Sequence, residues 1–282
     1  MNHFTVVNFH ITNHCNYHCT YCFGKFEKQQ DPPLNDAKKV VENIGSYFRQ
    51  SQINDGRINL AGGEPLLYPH LNELIDCIRS HGVAVSIVTN ASLLTVERVA
   101  KWQGKVSCIG ISVDSLDNDT NRKIGRCCGQ TVTDLAHLRT LSVAMQEHGI
   151  DLKINTVVSR LNLGEDLTPL YRALRPKKIK LLQMHLIRGV NDKAGPYQIT
   201  DDEFNCFCSR HAEFRSIIVE EPCGSMENSY LMVNPNGEFQ LNDNGIYRKY
   251  GDLKAMPLGK ILENVPMCAE KFNSRYEKGD PA

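Results

Sequence analysis

Six short runs rich in β-branched residues, each followed by a longer amphipathic stretch, limit what this chain can fold into. The runs are 6–11, 57–60, 84–88, 106–111, 152–158 and 178–183; the stretches are 35–52, 71–81, 96–102, 131–148, 166–174 and 201–213. Strand-then-helix units in series predict parallel strands, because each helix returns the chain to the same end of the sheet. Six units predict an α/β fold, a partial (β/α)6 barrel rather than a closed eight-stranded one. Asp31, Pro32, Pro33 and Asn35 form a start signal for the first helix. In such sheets the chemistry gathers in the loops that follow the strands.

The rhythm changes after residue 214. Residues 229–233 and 238–241, separated by Asn234-Pro235-Asn236-Gly237, read as a hairpin, and the tail from Asp280 reads as frayed. Residues 1–214 are expected to form the barrel. Residues 215–282 are expected to cap it within the same structural domain.

The first inter-element loop carries Cys15, Cys19 and Cys22, spaced C-x3-C-x2-C. Thiolates select soft metals and iron–sulfur clusters. Three of them close together can wrap one face of a cubane and leave one iron open to a small molecule. A structural zinc site needs four ligands, and no second C-x-x-C follows, although His14 and His18 are near. Eleven cysteines, an odd number, with no signal peptide at the start, fit reduced thiols in a cytoplasmic protein better than disulfides. Zero formal net charge argues against a nucleic-acid polymer or an anionic membrane as partner. No apolar run approaches the roughly 18 residues of a membrane span.

Later strand-end loops supply polar groups. Ala61-Gly62-Gly63-Glu64-Pro65 follows the second strand, where glycines allow close backbone approach and Glu64 could accept from a cationic amine. Asn90 and Ser112 end the third and fourth runs, and Asn155 lies late in the fifth. Arg57, Arg126, Lys153, Lys178 and Lys180 stand beside or within strands, near the expected mouth. Cations there are costly unless an anion meets them, and a triphosphate would.

C-x3-C-x-aromatic-C, with Tyr21 as the aromatic, resembles the cluster loop of the radical S-adenosylmethionine (SAM) enzymes, and Gly62-Gly63-Glu64-Pro65 resembles their SAM amine motif. The resemblance narrows to the viperin-like enzymes. It rests on residues 8–12, 58–65 and 86–90, on Asp114-Ser115 with Asn121 through Arg126, and on 153–155, 180–183 and 228–231. Ala61, Arg57 and Lys178 replace that family's frequent Ser, Lys and Arg.

The resemblance implies a radical SAM fold and a [4Fe–4S] cluster on Cys15, Cys19 and Cys22. SAM would be held by Tyr21, Gly62, Gly63, Glu64, Asn90, Ser112 and Asn155. It implies a ribonucleoside triphosphate substrate (CTP, UTP or GTP) touching Asn8, Arg57, Arg126, Lys153, Lys178 and Lys180, with Tyr230 as hydrogen or electron donor. The product would be the 3′-deoxy-3′,4′-didehydro nucleotide, a chain terminator in antiviral defence, and flavodoxin or ferredoxin would supply electrons. Two other readings stay open: a radical SAM enzyme for a peptide or cofactor precursor, and a non-catalytic iron–sulfur redox protein. Cys206, Cys208, Cys223 and Cys268, with Cys77, Cys108, Cys127 and Cys128, are expected to be buried small residues rather than ligands of a further cluster.

Overall fold

A computed structural model describes residues 4–24 and 30–276. Seven strands run parallel in chain order: β1 (Val6–His10), β2 (Arg57–Ala61), β3 (Ala84–Thr89), β4 (Cys108–Ser112), β5 (Asp151–Val158), β6 (Lys178–Gln183) and β7 (Ile218–Glu221). On the other side of β1 lies β8 (Leu231–Val233), also parallel, followed by antiparallel β9 (Glu238–Asp243) and β10 (Ile246–Asp252). The predicted strands form, and the predicted hairpin is β8–β9. Residues past 214 extend both flanks of the main sheet, through β7 at one edge and β8–β10 at the other.

The sheet curls. β7 and β8 stand seven positions apart in strand order, which would separate them by about 34 Å if the sheet were flat. Yet the hydroxyl of Tyr230, the residue before β8, donates to Glu221 at the end of β7. An α/β partial barrel results, with one seam bridged by side chains.

Its two faces have opposite chemistry, as period-2 alternation dictates. Val7, Phe9, Ile58, Leu60, Val85, Ile87, Ile109, Ile154 and Ile179 point outward and are completely buried under the helices. In α1 (Leu34–Gln50), Ala37, Val40, Val41, Ile44 and Phe48 repeat at helical spacing and face this layer. The inner face carries Asn8, Asn59, Ser86, Lys153 and Lys180 instead.

Several local expectations needed correction. Pro33, not Asp31 or Asn35, occupies the N-cap of α1, with no side-chain cap; Asp31 accepts from Thr12 Oγ1 at 2.6 Å. α2 (Leu71–Ser80) and α3 (Val96–Lys101) lie where expected. A short helix, α4 (Asn118–Ile124), went unread because it is capped by Asp117 but has no apolar periodicity. The helix expected over 131–148 is α5 (Leu135–Glu147), because the Asp134 carboxylate takes the His137 N–H and fixes its start. α6 (Thr168–Leu174) follows. Next comes α7 (Asp201–Arg210), opened by a Thr200–Glu203 capping box and shorter than expected because a separate 3-10 turn covers Ala212–Phe214. The chain continues through α8 (Leu258–Leu262) to α9 (Ala269–Tyr276), and the tail from Asp280 lies outside the described residues.

Candidate active site

The cysteine loop leaves the C-terminal end of β1 and is clamped from two sides. Gly63 and Glu64 donate their N–H groups to Thr12 O and His14 O, each at 2.7 Å. A Cβ on Gly62 would stand 2.5 Å from Thr12 O, and one on Gly63 would overlap the His14 carbonyl. The paired glycines therefore seat the cysteine loop itself. On the far side His18 and Thr20 donate to Gly125 O and Ile124 O at 3.0 and 2.8 Å. Gly125, at φ 86°, ends α4 where a Cβ would overlap the His18 carbonyl.

Cys15, Cys19 and Cys22 are half-buried on this loop, and none is in a disulfide. Tyr17 N–H points at Cys15 Sγ at 3.4 Å, and the Asn90 amide lies 3.9 Å from the same sulfur. Burial pushes the Cys19 thiol up to about 12 and raises Cys15 as well. A metal that replaces those protons relieves that cost. Three soft donors on one clamped loop, with the Tyr17 and Asn90 N–H groups facing Cys15 Sγ, have the donor chemistry of an iron–sulfur cluster, although among the described residues their sulfurs do not converge on one metal position.

Glu64 is fully buried, and its carboxylate accepts from Thr89 Oγ1 (2.7 Å), Asn90 N (2.8 Å) and Leu66 N (3.1 Å). It ties the loop after β2 to the loop after β3. Asn90 in turn donates to Asn16 Oδ1 at 2.9 Å, inside the cysteine loop. Ser112, the last residue of β4, pairs in register with Asn155, inside β5, on the inner face.

Asp114 completes the rim. One of its oxygens receives both the Tyr21 hydroxyl and Arg126 Nε, and the other takes Val157 N–H at 2.8 Å. Burial lifts the Tyr21 phenol well above its ordinary range, and Asp114 adds to that. Burial opposes the charge on Arg126, but Asp114 and Cys19 beside it hold the guanidinium firmly protonated.

The five cations expected at one mouth divide into two groups. Arg126 alone stands beside the cysteines. Arg57 and Lys178 are the first residues of β2 and β6, at the end of the sheet opposite the cysteine loop. Arg57 pairs with Val6 in register, four residues before the end of β1, hence about 13 Å below it. Lys153 and Lys180 lie on the same inner face. Burial lowers all four, Lys178 to about 8 with Lys153 and Arg57 adding repulsion. Lys178 Nζ donates to Arg275 O at 3.2 Å.

Above this floor, Asn59 Nδ2 donates to Asn8 Oδ1 and Ser86 Oγ to Asn59 Oδ1, both at 2.8 Å. This polar ladder crosses three strands. Asn8 Nδ2 reaches Leu231 O at 3.3 Å. Tyr230 donates to Glu221, and Lys180 Nζ lies 3.4 Å from the Tyr230 oxygen.

Sequence reasoning missed Asp114, Glu221, Arg275 and Gln240 as site residues. Glu221 had a signal: it alternates with Val219 onto the face that carries Lys180. Arg275, on α9, had none. Gln240 of β9 is 2% exposed and shares a row with Met232 and Asn8. Asn234 Oδ1 accepts from Asn236 N and Glu238 N, each at 3.0 Å, so its amide nitrogen faces Gln240 Oε1 at 3.4 Å. Gln240 Nε2 is thereby turned away, a buried donor without a partner among the described residues. The other cysteines are not uniformly buried: Cys108 and Cys208 are, Cys128 and Cys206 are exposed, and the rest are intermediate, because each lies on an element that gives it a different depth.

The radical SAM superfamily model matches residues 9–158. A protein of Flammeovirga pacifica named "S-adenosylmethionine-dependent nucleotide dehydratase" is 34% identical over 95% of this chain and 93% of its own length. One of the same name from Selenomonas ruminantium is 32% identical over 96% of this chain and 98% of its own. The chain belongs to this nucleotide dehydratase family of radical SAM enzymes. Streptococcus suis SuiB with bound SAM superposes with a TM-score of 0.69 at 16% identity, over 95% of this chain and 67% of its own. The enzyme anSMEcpe with bound SAM gives 0.65 at 13%, over 96% and 82%. At those identities the likeness concerns the fold. The cofactors of a radical SAM enzyme are a [4Fe–4S] cluster and SAM, and the thiol loop has the donor chemistry for the first. Among the described residues no helix is long and apolar enough to cross a membrane.

Proposed function

We propose that this enzyme dehydrates the ribose of a ribonucleoside triphosphate, CTP, UTP or GTP, to the 3′-deoxy-3′,4′-didehydro analogue, a chain terminator in antiviral defence. The observation that carries this reading is the floor of the barrel. Arg57, Lys153, Lys178 and Lys180 are buried on one inner face, an arrangement that a polyanion stabilises.

In this reading Cys15, Cys19 and Cys22 hold the cluster, and Tyr21, Gly62, Gly63, Glu64, Asn90, Ser112 and Asn155 shape the SAM site. Gly62, Gly63 and Glu64 act largely by fixing the cysteine loop and Asn90. Bound there, cluster and SAM would supply radical chemistry for activating the ribose at C4′. The chain's own groups place the nucleotide. The floor cations take the triphosphate, Asn8 lies beside the sugar or base, and Arg126 adds charge at the rim. The drop of about 13 Å from the cysteine loop to Arg57 suits a substrate that lies lengthwise, phosphates down. Loss of the 3′-hydroxyl as water needs one further electron and a proton, for which Tyr230, bonded to Glu221 and Lys180, is the nearby donor. Residues from 215 onward, which supply Tyr230, complete the site. A flavodoxin or ferredoxin in a reducing cytoplasm is the electron source.

The test is an anaerobic assay of reconstituted enzyme with SAM, dithionite and each of CTP, UTP, GTP and ATP. 5′-Deoxyadenosine and a nucleotide lighter by one water should appear together with one substrate. SAM cleavage that no nucleotide stimulates would sink the reading in favour of another substrate. No cleavage at all would favour a redox protein.

A further inference from the structure

A carboxylate among the cations of a site for a polyanion repels the ligand and calls for a reason. Glu221 is 1% exposed, the last residue of β7, on the inner face beside Lys180. Its Oε1 is 2.7 Å from Lys180 Nζ and 3.1 Å from Arg275 Nε, and its Oε2 accepts the Tyr230 hydroxyl. Arg275 is held in turn by Ser229 O at 2.8 Å, Ser225 O at 2.9 Å and Ser229 Oγ at 3.0 Å, and its Cζ stacks 3.8 Å from the Tyr230 ring centroid. Both terminal nitrogens of the guanidinium are hydrogen-bonded to the protein and Nε lies against Glu221, so the group acts as a brace for Tyr230. One carboxylate therefore joins β6, β7, the residue before β8 and α9.

We propose that Glu221 is the positioning residue of the nucleotide site, fixing Lys180 and the Tyr230 phenol where substrate meets them. The inference deepens the proposed function and rests on it. Tyr230 directly follows a loop and has no strand pairing of its own, so its ring is held by Arg275 and its hydroxyl by Glu221. Lys180 has Glu221 as its ion-pair partner.

The same contact governs charge. The groups facing Glu221 are Lys180 on β6, Arg275 on α9 and Tyr230; Lys178 on β6 and Lys153 on β5 feel it at longer range, with Tyr276 on α9. Burial lowers the proton affinity of Lys180 well below the ordinary lysine range; Glu221 opposes this, and Lys153 and Arg275 add to the lowering. Burial would also neutralise Glu221, yet Lys180 and Arg275 hold it down to about 2, so it stays an anion at every working pH. Removing that anion lowers the lysine proton affinities further. Nucleotide affinity, which needs the protonated lysines, then fails earlier as pH rises. An opposite charge at this range shifts a partner by about 1–3 pH units.

The experiment uses cluster-loaded enzyme with SAM, comparing wild type, Glu221→Gln and Glu221→Asp. Binding of the turned-over nucleotide is measured from pH 6 to pH 9, with the ratio of 5′-deoxyadenosine to dehydrated nucleotide. For Glu221→Gln the pH at which affinity falls should move down by at least about one unit, and the ratio should rise as Tyr230 loses its place. Glu221→Asp, which keeps the charge, should restore the wild-type pH profile. A Glu221→Gln enzyme with wild-type profile and ratio overturns the inference while leaving the proposed function standing. Wild type that binds no nucleotide at any pH overturns both. If Glu221→Gln does not fold, Glu221→Gln combined with Lys180→Met, which removes one charge of each sign, carries the test. That pair should bind nucleotide more weakly and with a raised ratio, and wild-type values for it overturn the inference.

Discussion

Asp114 and Arg126 form an ion pair at the rim of the barrel, beside Cys19, with the Asp114 side chain completely buried. The same carboxylate receives the Tyr21 hydroxyl and Val157 N–H, so it binds the cysteine loop, α4 and β5 to one another. Removing one partner of such a pair leaves the other charge buried and unpaired. Asp114→Asn should cost about 3–5 kcal/mol, read by urea denaturation of the metal-free protein. A loss below about 1 kcal/mol, the range of a surface pair, would show that the rim does not depend on it.

The clamp on the cysteine loop is steric. Gly63→Ala and Gly125→Ala each put a methyl where a carbonyl of that loop now lies. Both should load less iron and sulfide on reconstitution than wild type while keeping the far-UV spectrum of a folded α/β protein. Gly129→Ala is a control: it too has a left-handed φ but nothing within 4 Å of its Cβ, and it should load normally.

His211 should make the protein acid-sensitive. It is fully buried, with Nε2 accepting Leu167 N–H and Nδ1–H donating to Phe207 O, each at 2.9 Å. The bond to Nε2 requires the neutral ring, since a protonated Nε2 has no lone pair to accept with. Burial lowers its proton affinity in the fold, although the Phe207 carbonyl and Asp166 oppose this. A folded pKa below the unfolded value of about 6.5 means that the unfolded chain takes up the proton first. Stability is therefore full above about pH 6.5 and declines as pH falls below it. Denaturant midpoints at pH 7.5 and pH 5.5 should differ for wild type and differ less for His211→Gln. Equal differences would remove His211 from the account.

Gln240 presents a buried N–H donor that is unmatched among the described residues. An unmatched donor costs about 1–3 kcal/mol, so Gln240→Leu should leave the free protein as stable as wild type or more so. In the proposed reading its row with Asn8 sets it beside the nucleotide, so the order of preference among CTP, UTP and GTP should change. Lower stability with unchanged preference would mark Gln240 as packing alone.

Much of this was legible in the chain. Three thiols at fixed spacing after a strand constrain their own chemistry, because the ligand geometry is local. Alternation along Lys178 and Lys180, or Asn8 and His10, assigns them to one face without any knowledge of the neighbouring strands. Arg57 opens its strand, as the sequence predicts, and so lies at the end away from the mouth where its charge alone would put it. Glu64 was read as a group waiting for a ligand amine, while Thr89, Asn90 and Leu66 already use it. Partners from neighbouring loops cannot be counted from spacing.

The sequence by itself determined the strand-and-helix series, the cysteine loop and the polar inner face, since each follows from residues a few positions apart. Tertiary structure alone decided that Glu221 meets Tyr230 and Lys180, that Arg275 returns from α9 to brace them, and that Arg126 is spent on Asp114. Those contacts depend on how far a sheet curls before its flanks meet. Strand twist summed over many side-chain contacts sets that curl, and no local stretch encodes it.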